Sequence, residues 1–350
     1  MLFVNKIDFK SCARHVFRDI IMKKTKLFSL IVATIFFAAC SSTQNIAYID
    51  MSVPEEGSSN FTKITDESIE TISSPSTGRD NYGRLTWWTN PLIAISSDGQ
   101  NIAYNIFKND RRNIFIKPII GKGASIQRTF RSKVNDLTFS PDDEIICFSE
   151  IDGNNSYIYT TSAKQGTIVQ RISPQNVSDY GPCYSKDGSK IFFTRADGSN
   201  YSIWSYNIEN YSFANYGHGV NPVPINEEEF LCVRNNSKGN YEIWRVNYVK
   251  GTEYIIVSSE NQSYTTPSVS PDGKWILMQA NTLPDGNKKE ENLDIYVVRT
   301  DGSGLTQLTY HKGHDCSPVW GKDGKSIYFL SQRGTEKGAY NIWKMDFKLN

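Results

Sequence analysis

The sequence predicts an all-β protein, a six-bladed β-propeller whose blades are four-stranded and antiparallel. Three observations lead there. A short phrase (an apolar run, an Asp-Gly-type turn, a denser apolar run) recurs along the chain. The run after each turn is apolar on successive residues, as in Trp275-Ile276-Leu277-Met278. Aromatic residues, 13% of the chain, cluster with Val and Ile in strand-favouring runs. Four short strands in about 45 residues is the period of a propeller blade. Consecutive apolar positions need cover on both faces. A blade wedged between two siblings has that cover, and a sandwich strand with one wet face does not.

The copies follow in order. Ser96-Ser97-Asp98-Gly99 precedes Ile102-Ala103-Tyr104, and Ser140-Pro141-Asp142-Asp143 precedes Ile145-Ile146-Cys147-Phe148. Ser185-Lys186-Asp187-Gly188 leads into Ile191-Phe192-Phe193, and a degenerate copy, Asn226-Glu227-Glu228, leads into Phe230-Leu231-Cys232-Val233. Ser270-Pro271-Asp272-Gly273 and Gly321-Lys322-Asp323-Gly324 complete the set, the Asp (or Glu227) positions lying 44, 45, 40, 45 and 51 residues apart. Asp-Gly suits a tight hairpin, because Gly accepts positive φ and Asp bonds the nearby backbone. A further β-type run follows each copy, from Asn113-Ile114-Phe115-Ile116 to Asn341-Ile342-Trp343. The sixth unit lacks an outermost strand. Phe61-Thr62-Lys63-Ile64-Thr65 mirrors Leu305-Thr306-Gln307-Leu308-Thr309, which predicts that the N-terminal segment closes the last blade.

The first forty residues read as an address. Met22-Lys23-Lys24-Thr25-Lys26 is a basic head, Leu27 to Ala39 an apolar stretch of thirteen residues, and Ala38-Ala39 stands before Cys40. This is the layout of a secretory signal over 1–39, with Met22 the expected true start. The stretch is shorter than the ~20 residues of a membrane span. Ala38-Ala39-Cys40 resembles a bacterial lipobox, which implies cleavage before Cys40, lipidation there, and a tether over 40–60 ahead of a propeller at 61–350.

Composition excludes several classes. Lys and Arg number 38 against 37 Asp and Glu. Removing 1–39 takes seven basic and two acidic side chains, leaving a formal net charge of −4. No drive toward nucleic-acid phosphates follows. Hydrophobic residues at 39% supply a core and exclude wholesale disorder.

The repeated Ser-Pro-Asp-Gly-Lys phrase resembles the TolB-type, WD-repeat-like β-propeller family over roughly residues 61–347. The resemblance implies six blades, a periplasmic location, and binding rather than chemistry. Departures from the pattern occur: the first copy lacks Pro, the second has Asp143 for Gly, and the fourth lacks Asp-Gly. Residues 41–60 leave no room for the helical domain ahead of the propeller in TolB itself, so the expectation is a TolB-like lipoprotein.

Inner strands of such a ring line a channel. Aligning the copies on Pro182, Pro222, Pro267 and Pro318 puts His218 and His314 at one place, with Tyr180, Tyr216 and Tyr264 nearby and Trp87 and Trp88 ahead of the first inner strand. These seven are the candidate channel-mouth residues; aromatics and His bury area with few rotors. The alternative is rim packing. Longer segments, Asp66–Arg84, Asn281–Asn292 and Gln332–Ala339, reach the same face.

Catalytic groups are few. His218, His311 and His314 remain after maturation, and no Cys-x-x-Cys, His-Glu-x-x-His, Gly-x-Ser-x-Gly or phosphate-binding Gly loop occurs. No cofactor, metal or catalytic residue is assigned. Cys147, Cys183, Cys232 and Cys316 fall among apolar strand residues and are expected to be free thiols, with Cys147 and Cys232 in the same slot of their blades. The leading expectation is a non-catalytic envelope lipoprotein on the periplasmic side of the outer membrane. It touches the membrane through its lipid only and binds an envelope protein or peptidoglycan-associated lipoprotein. The alternative is an oligosaccharide binder or metal-dependent oligosaccharide lyase of the same propeller group.

Overall fold

The computed structural model describes residues 61–66, 72, 78–79, 85–86, 92–121, 123–166, 169–282, 292–334 and 339–347. The signal segment, Cys40, the tether, Trp87, Trp88 and residues 283–291 lie outside them. The described residues form six four-stranded antiparallel sheets and one small hairpin, Gly78–Arg79 with Leu85–Thr86.

Each sheet is a blade. Inner strands are Ile93–Ile95, Val134–Phe139, Ser178–Tyr184, Val220–Pro224, Tyr264–Val269 and Asp315–Trp320. Second strands are Asn101–Lys108, Ile145–Asp152, Lys190–Asp197, Glu229–Asn235, Trp275–Thr282 and Ser326–Ser331. Third strands are Arg111–Pro118, Asn155–Ser162, Asn200–Asn207, Tyr241–Asn247, Asn292–Arg299 and Asn341–Asp346. In blades 1 to 5 the outer strand follows in sequence. In blade 6 it is Phe61–Lys63, so the ring is closed by its N-terminus as the sequence predicts.

Phe61 pairs with Met345, Thr62 with Lys344 and Lys63 with Trp343. Ile64 N–H donates to the Ile342 carbonyl at 2.8 Å. Thr65 Oγ1 accepts from Ile342 N–H at 2.9 Å and donates to Asn341 Oδ1 at 3.1 Å. Thr309 and Thr129 hold the same slot in blades 5 and 1, each accepting the N–H of a third-strand Ile at 2.8 Å.

The core is six separate layers, one at each blade interface. Ile102 and Tyr104 of blade 1 meet Leu330 and Ile342 of blade 6, while Leu231 and Val233 of blade 4 meet Ile276 and Met278 of blade 5. The consecutive apolar runs are thereby explained. Odd and even side chains of a second strand point into different layers, and both are dry. Cys147 and Cys232 are not in one slot, however. Cys147 pairs with Thr138, and the equivalent residue of blade 4 is Leu231, which pairs with Val223. Aligning the apolar runs shifts the degenerate copy by one residue, which turns the face: Cys147 lies between blades 2 and 3, on the side of the next blade, and Cys232 between blades 3 and 4, on the side of the preceding one. All four described cysteines are free thiols.

The turn between inner and second strands has a uniform chemistry. The Ser96, Ser140, Ser185 and Ser270 hydroxyls donate to Asp98, Asp142, Asp187 and Asp272 at 2.5–2.6 Å. Each hydroxyl also accepts an N–H five residues on, at 2.9–3.0 Å. These bonds favour the ionised carboxyl; Asp187 is lowered to about 2, chiefly by Ser185. In blade 6 Gly321 replaces the Ser, and Ser326 reaches back to Asp323 at 2.7 Å in its stead.

The turns also stack around the ring. A Cβ on Gly188 would sit 3.5 Å from Pro141 of the preceding blade, and one on Gly324 would sit 3.9 Å from Pro271. Blades 1 and 2 break the rule together. Blade 1 has Ser97 in the proline place, which leaves a backbone N–H. Asp143, in the glycine place of blade 2 at φ 61°, accepts that N–H at 2.6 Å and the Asp98 N–H at 2.9 Å. Ser97→Pro alone removes a charge-assisted donor, with an expected loss of ~1.5–3 kcal/mol. Adding Asp143→Gly should recover most of it. Urea melts of the two single variants and the double would show a coupling of at least ~1 kcal/mol, and strict additivity would contradict the pairing.

Candidate functional site

Inner strands run from the side of the inter-blade loops to the side of the Ser-Asp turns. Four of them carry the same irregularity. Gly181, Asn221, Thr266 and Ser317 have φ between 51° and 58°, and each precedes a proline: Pro182, Pro222, Pro267 and Pro318. The register with the second strand slips at these points. A left-handed Thr is costly, so neighbours must hold the bulge. They do so across blades. The Gly181 N–H donates to Asp136 Oδ2 of blade 2 at 3.0 Å. The Asn221 N–H donates to Thr194 Oγ1 of blade 3 at 2.9 Å, and the Ser317 N–H to Gln279 Oε1 of blade 5 at 2.9 Å. Proline suits a bulge because it has no ladder N–H to lose.

The bulges bring Pro182, Pro222 and Pro267 to the wall of a central cavity of about 480 Å3. All six inner strands line it. Ile93, Leu137, Val223, Val319 and Trp320 make it apolar, Ser96, Thr138 and Ser268 add short polar groups, and Lys186 and Lys322 are its only charged lining residues among the described residues. Both lysines are exposed and sit in the turns, so the cavity opens on the turn side. Apolar walls with a cationic rim suit a guest that is apolar at its tip and anionic at its shoulder. Cys183 also lines the cavity, but burial pushes its thiol up to about 11, so it is no thiolate nucleophile at neutral pH.

None of the described mouth candidates lines this cavity. His218 ends the outer strand of blade 3, Nδ1 lying 3.1 Å from the Tyr201 carbonyl, and its own carbonyl accepts from Arg234 Nε at 2.9 Å. His314 precedes the inner strand of blade 6, Nδ1 lying 2.9 Å from the Tyr340 hydroxyl. Both belong to the loop side, on separate blades. Tyr180 is half-buried in the inner strand of blade 3. Tyr264 is 2% exposed and donates to Gln262 Oε1 at 2.9 Å. Tyr216 packs in the interface of blades 3 and 4, with its ring 5.0–5.8 Å from Phe192, Phe230 and Tyr248. Among the described residues, no three His, Cys, Asp or Glu side chains approach closely enough to share a metal ion. The donor set of a metal-dependent lyase is therefore not met by them. The signal for the lining was present: the prolines used to align the copies, and Lys at the proline place of the third and sixth turns.

Residues 84–287 match the TolB beta propeller domain. The chain is 35% identical over 98 residues to the Tol-Pal system protein TolB of Helicobacter pylori, covering 28% of the chain and 22% of that protein. It is 36% identical over 67 residues to dipeptidyl-peptidase 5 of Porphyromonas gingivalis, covering 19% of the chain and 10% of that protein. The matches thus span less than a quarter of these relatives' own lengths. Among solved structures, TolB from Acinetobacter baumannii superposes with a TM-score of 0.55 at 21% identity, over 72% of this chain and 65% of that one. An oligogalacturonate lyase from Vibrio parahaemolyticus superposes with 0.55 at 13% identity, over 82% and 93%. These likenesses establish the ring and leave chemistry open, since the fold serves non-enzymes and enzymes alike. With more than half its length matched and six blades built as that architecture requires, the chain belongs to the TolB beta propeller domain family.

Proposed function

We propose that this protein is a binding module of the bacterial envelope. On this reading it is exported, lipidated at Cys40, held on the periplasmic side of the outer membrane, and engages a protein partner through the central cavity on its turn side. The observation that carries the reading is the cavity itself: six inner strands converge on an apolar pocket whose only charges, among the described residues, are Lys186 and Lys322. A partner segment with an apolar tip and flanking carboxylates matches it. The kinship with TolB, named for the Tol-Pal system, supports an envelope protein as the partner.

The test is site-directed photo-crosslinking in envelope preparations, with a benzophenone amino acid at Lys322 or, for comparison, at His314. A discrete adduct at 322 is expected. With the photo-probe moved to Ser97, Lys186→Glu plus Lys322→Glu should cut capture at least ~10-fold, since each charged contact contributes ~1–2 kcal/mol. Adducts only at His314, insensitive to the lysine reversals, would move the binding surface to the loop side.

A further inference from the structure

A second cavity, of about 490 Å3, lies between blades 2 and 3 at their turn ends. Ile145, Ile172 and Ile208 form its walls, and Tyr211 flanks it. Tyr211 is 70% exposed and Ile208 38% exposed, so their apolar surface faces solvent. Tyr211 also sits at φ 62°, where Gly or Asn would be comfortable and a tyrosine is strained.

Charge separates this cavity from the central one. Asp142 and Asp187 line it, and among the described residues no Lys or Arg does. Both carboxylates are exposed, and both use Oδ1 inside their own turns, accepting from Ser140 at 2.5 Å and Ser185 at 2.6 Å. We propose that this cavity is a docking pocket for a basic side chain, arginine or lysine, of a protein partner. The aliphatic stem lies along the isoleucines, the Tyr211 ring covers the cation, and Asp142 and Asp187 take its charge. Cation–π contact and charge-assisted hydrogen bonds then act on one group. A long basic side chain is apolar along its stem and polar only at its tip, as the pocket is. A sugar carries hydroxyls around its whole edge, which isoleucine walls would leave unpaired. The proposal does not rest on the role of the central cavity.

The experiment uses the full-length protein and two synthetic probes, acetyl-Leu-Arg-Leu-amide and its isostere with citrulline for arginine. Saturation-transfer NMR titrations give each Kd. The arginine peptide should bind at least ~10-fold more tightly than the citrulline peptide. Asp142→Asn with Asp187→Asn should abolish that preference, because Asn keeps the Oδ1 acceptor its turn needs but loses the charge. Tyr211→Asn should weaken binding several-fold while Tm stays level or rises, since Asn tolerates the left-handed backbone. Equal binding of both peptides to the unaltered protein overturns the proposal, and that comparison needs no variant to fold. So would Tyr211-dependent binding of an N-acetylglucosamine trimer in preference to the arginine peptide.

Discussion

Removal of residues 61–65 is expected to lower Tm by about 10 °C or more. Those five residues supply the whole outer strand of blade 6. Without them Asn341–Asp346 becomes an open edge, Ile342 N–H loses Thr65 Oγ1, and the buried Asn341 Oδ1 loses the Thr65 hydroxyl. Phe61 leaves a face of Phe329, 6.2 Å away ring to ring, and uncovers the Arg333 guanidinium, which lies 3.9 Å over its own ring. Losing an aromatic anchor and its pairing costs ~4 kcal/mol or more, and in a domain of this size each kcal/mol moves Tm by ~2–4 °C. A thermal melt of the truncated protein checks this. A melt superposable on the full chain would mean that the pairing contributes nothing.

Arg333→Met is expected to cost ~3–5 kcal/mol at neutral pH, because it strands a buried carboxylate. Arg333 Nη2 donates to Asp315 Oδ2 at 2.6 Å, with side chains 6% and 0% exposed. Burial raises the pKa of Asp315, and Arg333 is the chief opposing influence. Without Arg333 the folded-state pKa moves further above that of the unfolded chain. The folded form then holds the extra proton, so stability is lost as pH rises through that value and regained as pH falls toward it. The variant should therefore gain more stability between pH 7 and pH 5 than the parent does. The turn aspartates do not confuse this window. Their pKa values are depressed, Asp187 to about 2, so their contribution is lost only at more acidic pH. Asp315→Leu with Arg333→Met should return close to parental stability, as buried ion pairs replaced by apolar groups often do. Urea melts at the two pH values decide it. A variant whose deficit is the same at both would contradict a stranded carboxylate.

The ring was legible in the sequence because its two strongest signals are local. Asp-Gly turns recur at blade spacing, and the second strands are apolar on both faces. The closing strand was legible too, because Thr65 repeats the position of Thr309 and does the same work. The degenerate fourth copy was readable as a blade but not in register, since Phe230 to Val233 are buried on both faces and a one-residue slip leaves the apolar pattern unchanged. The paired exceptions at Ser97 and Asp143 looked like independent departures. Their complementarity is a contact between blades 46 residues apart, which no local pattern reveals. The cavity was missed for a related reason. The prolines were visible, but their aim depends on left-handed bulges held by Asp136, Thr194 and Gln279 of neighbouring blades. The histidines were singled out by their shared place ahead of the aligned prolines, and they lie at the loop end of the strands, away from the cavity mouth at the turns.

Both proposed pockets on the turn side depend on six inner strands being held around one axis by a closed ring. Native-state hydrogen exchange tests that closure most directly. Ring closure predicts that the Ile64 and Ile342 amides exchange only through the global opening that releases the amides of Ile276–Ala280 in blade 5. Exchange of Ile64 and Ile342 at the rate of a fraying end, while blade 5 stays protected, would contradict it.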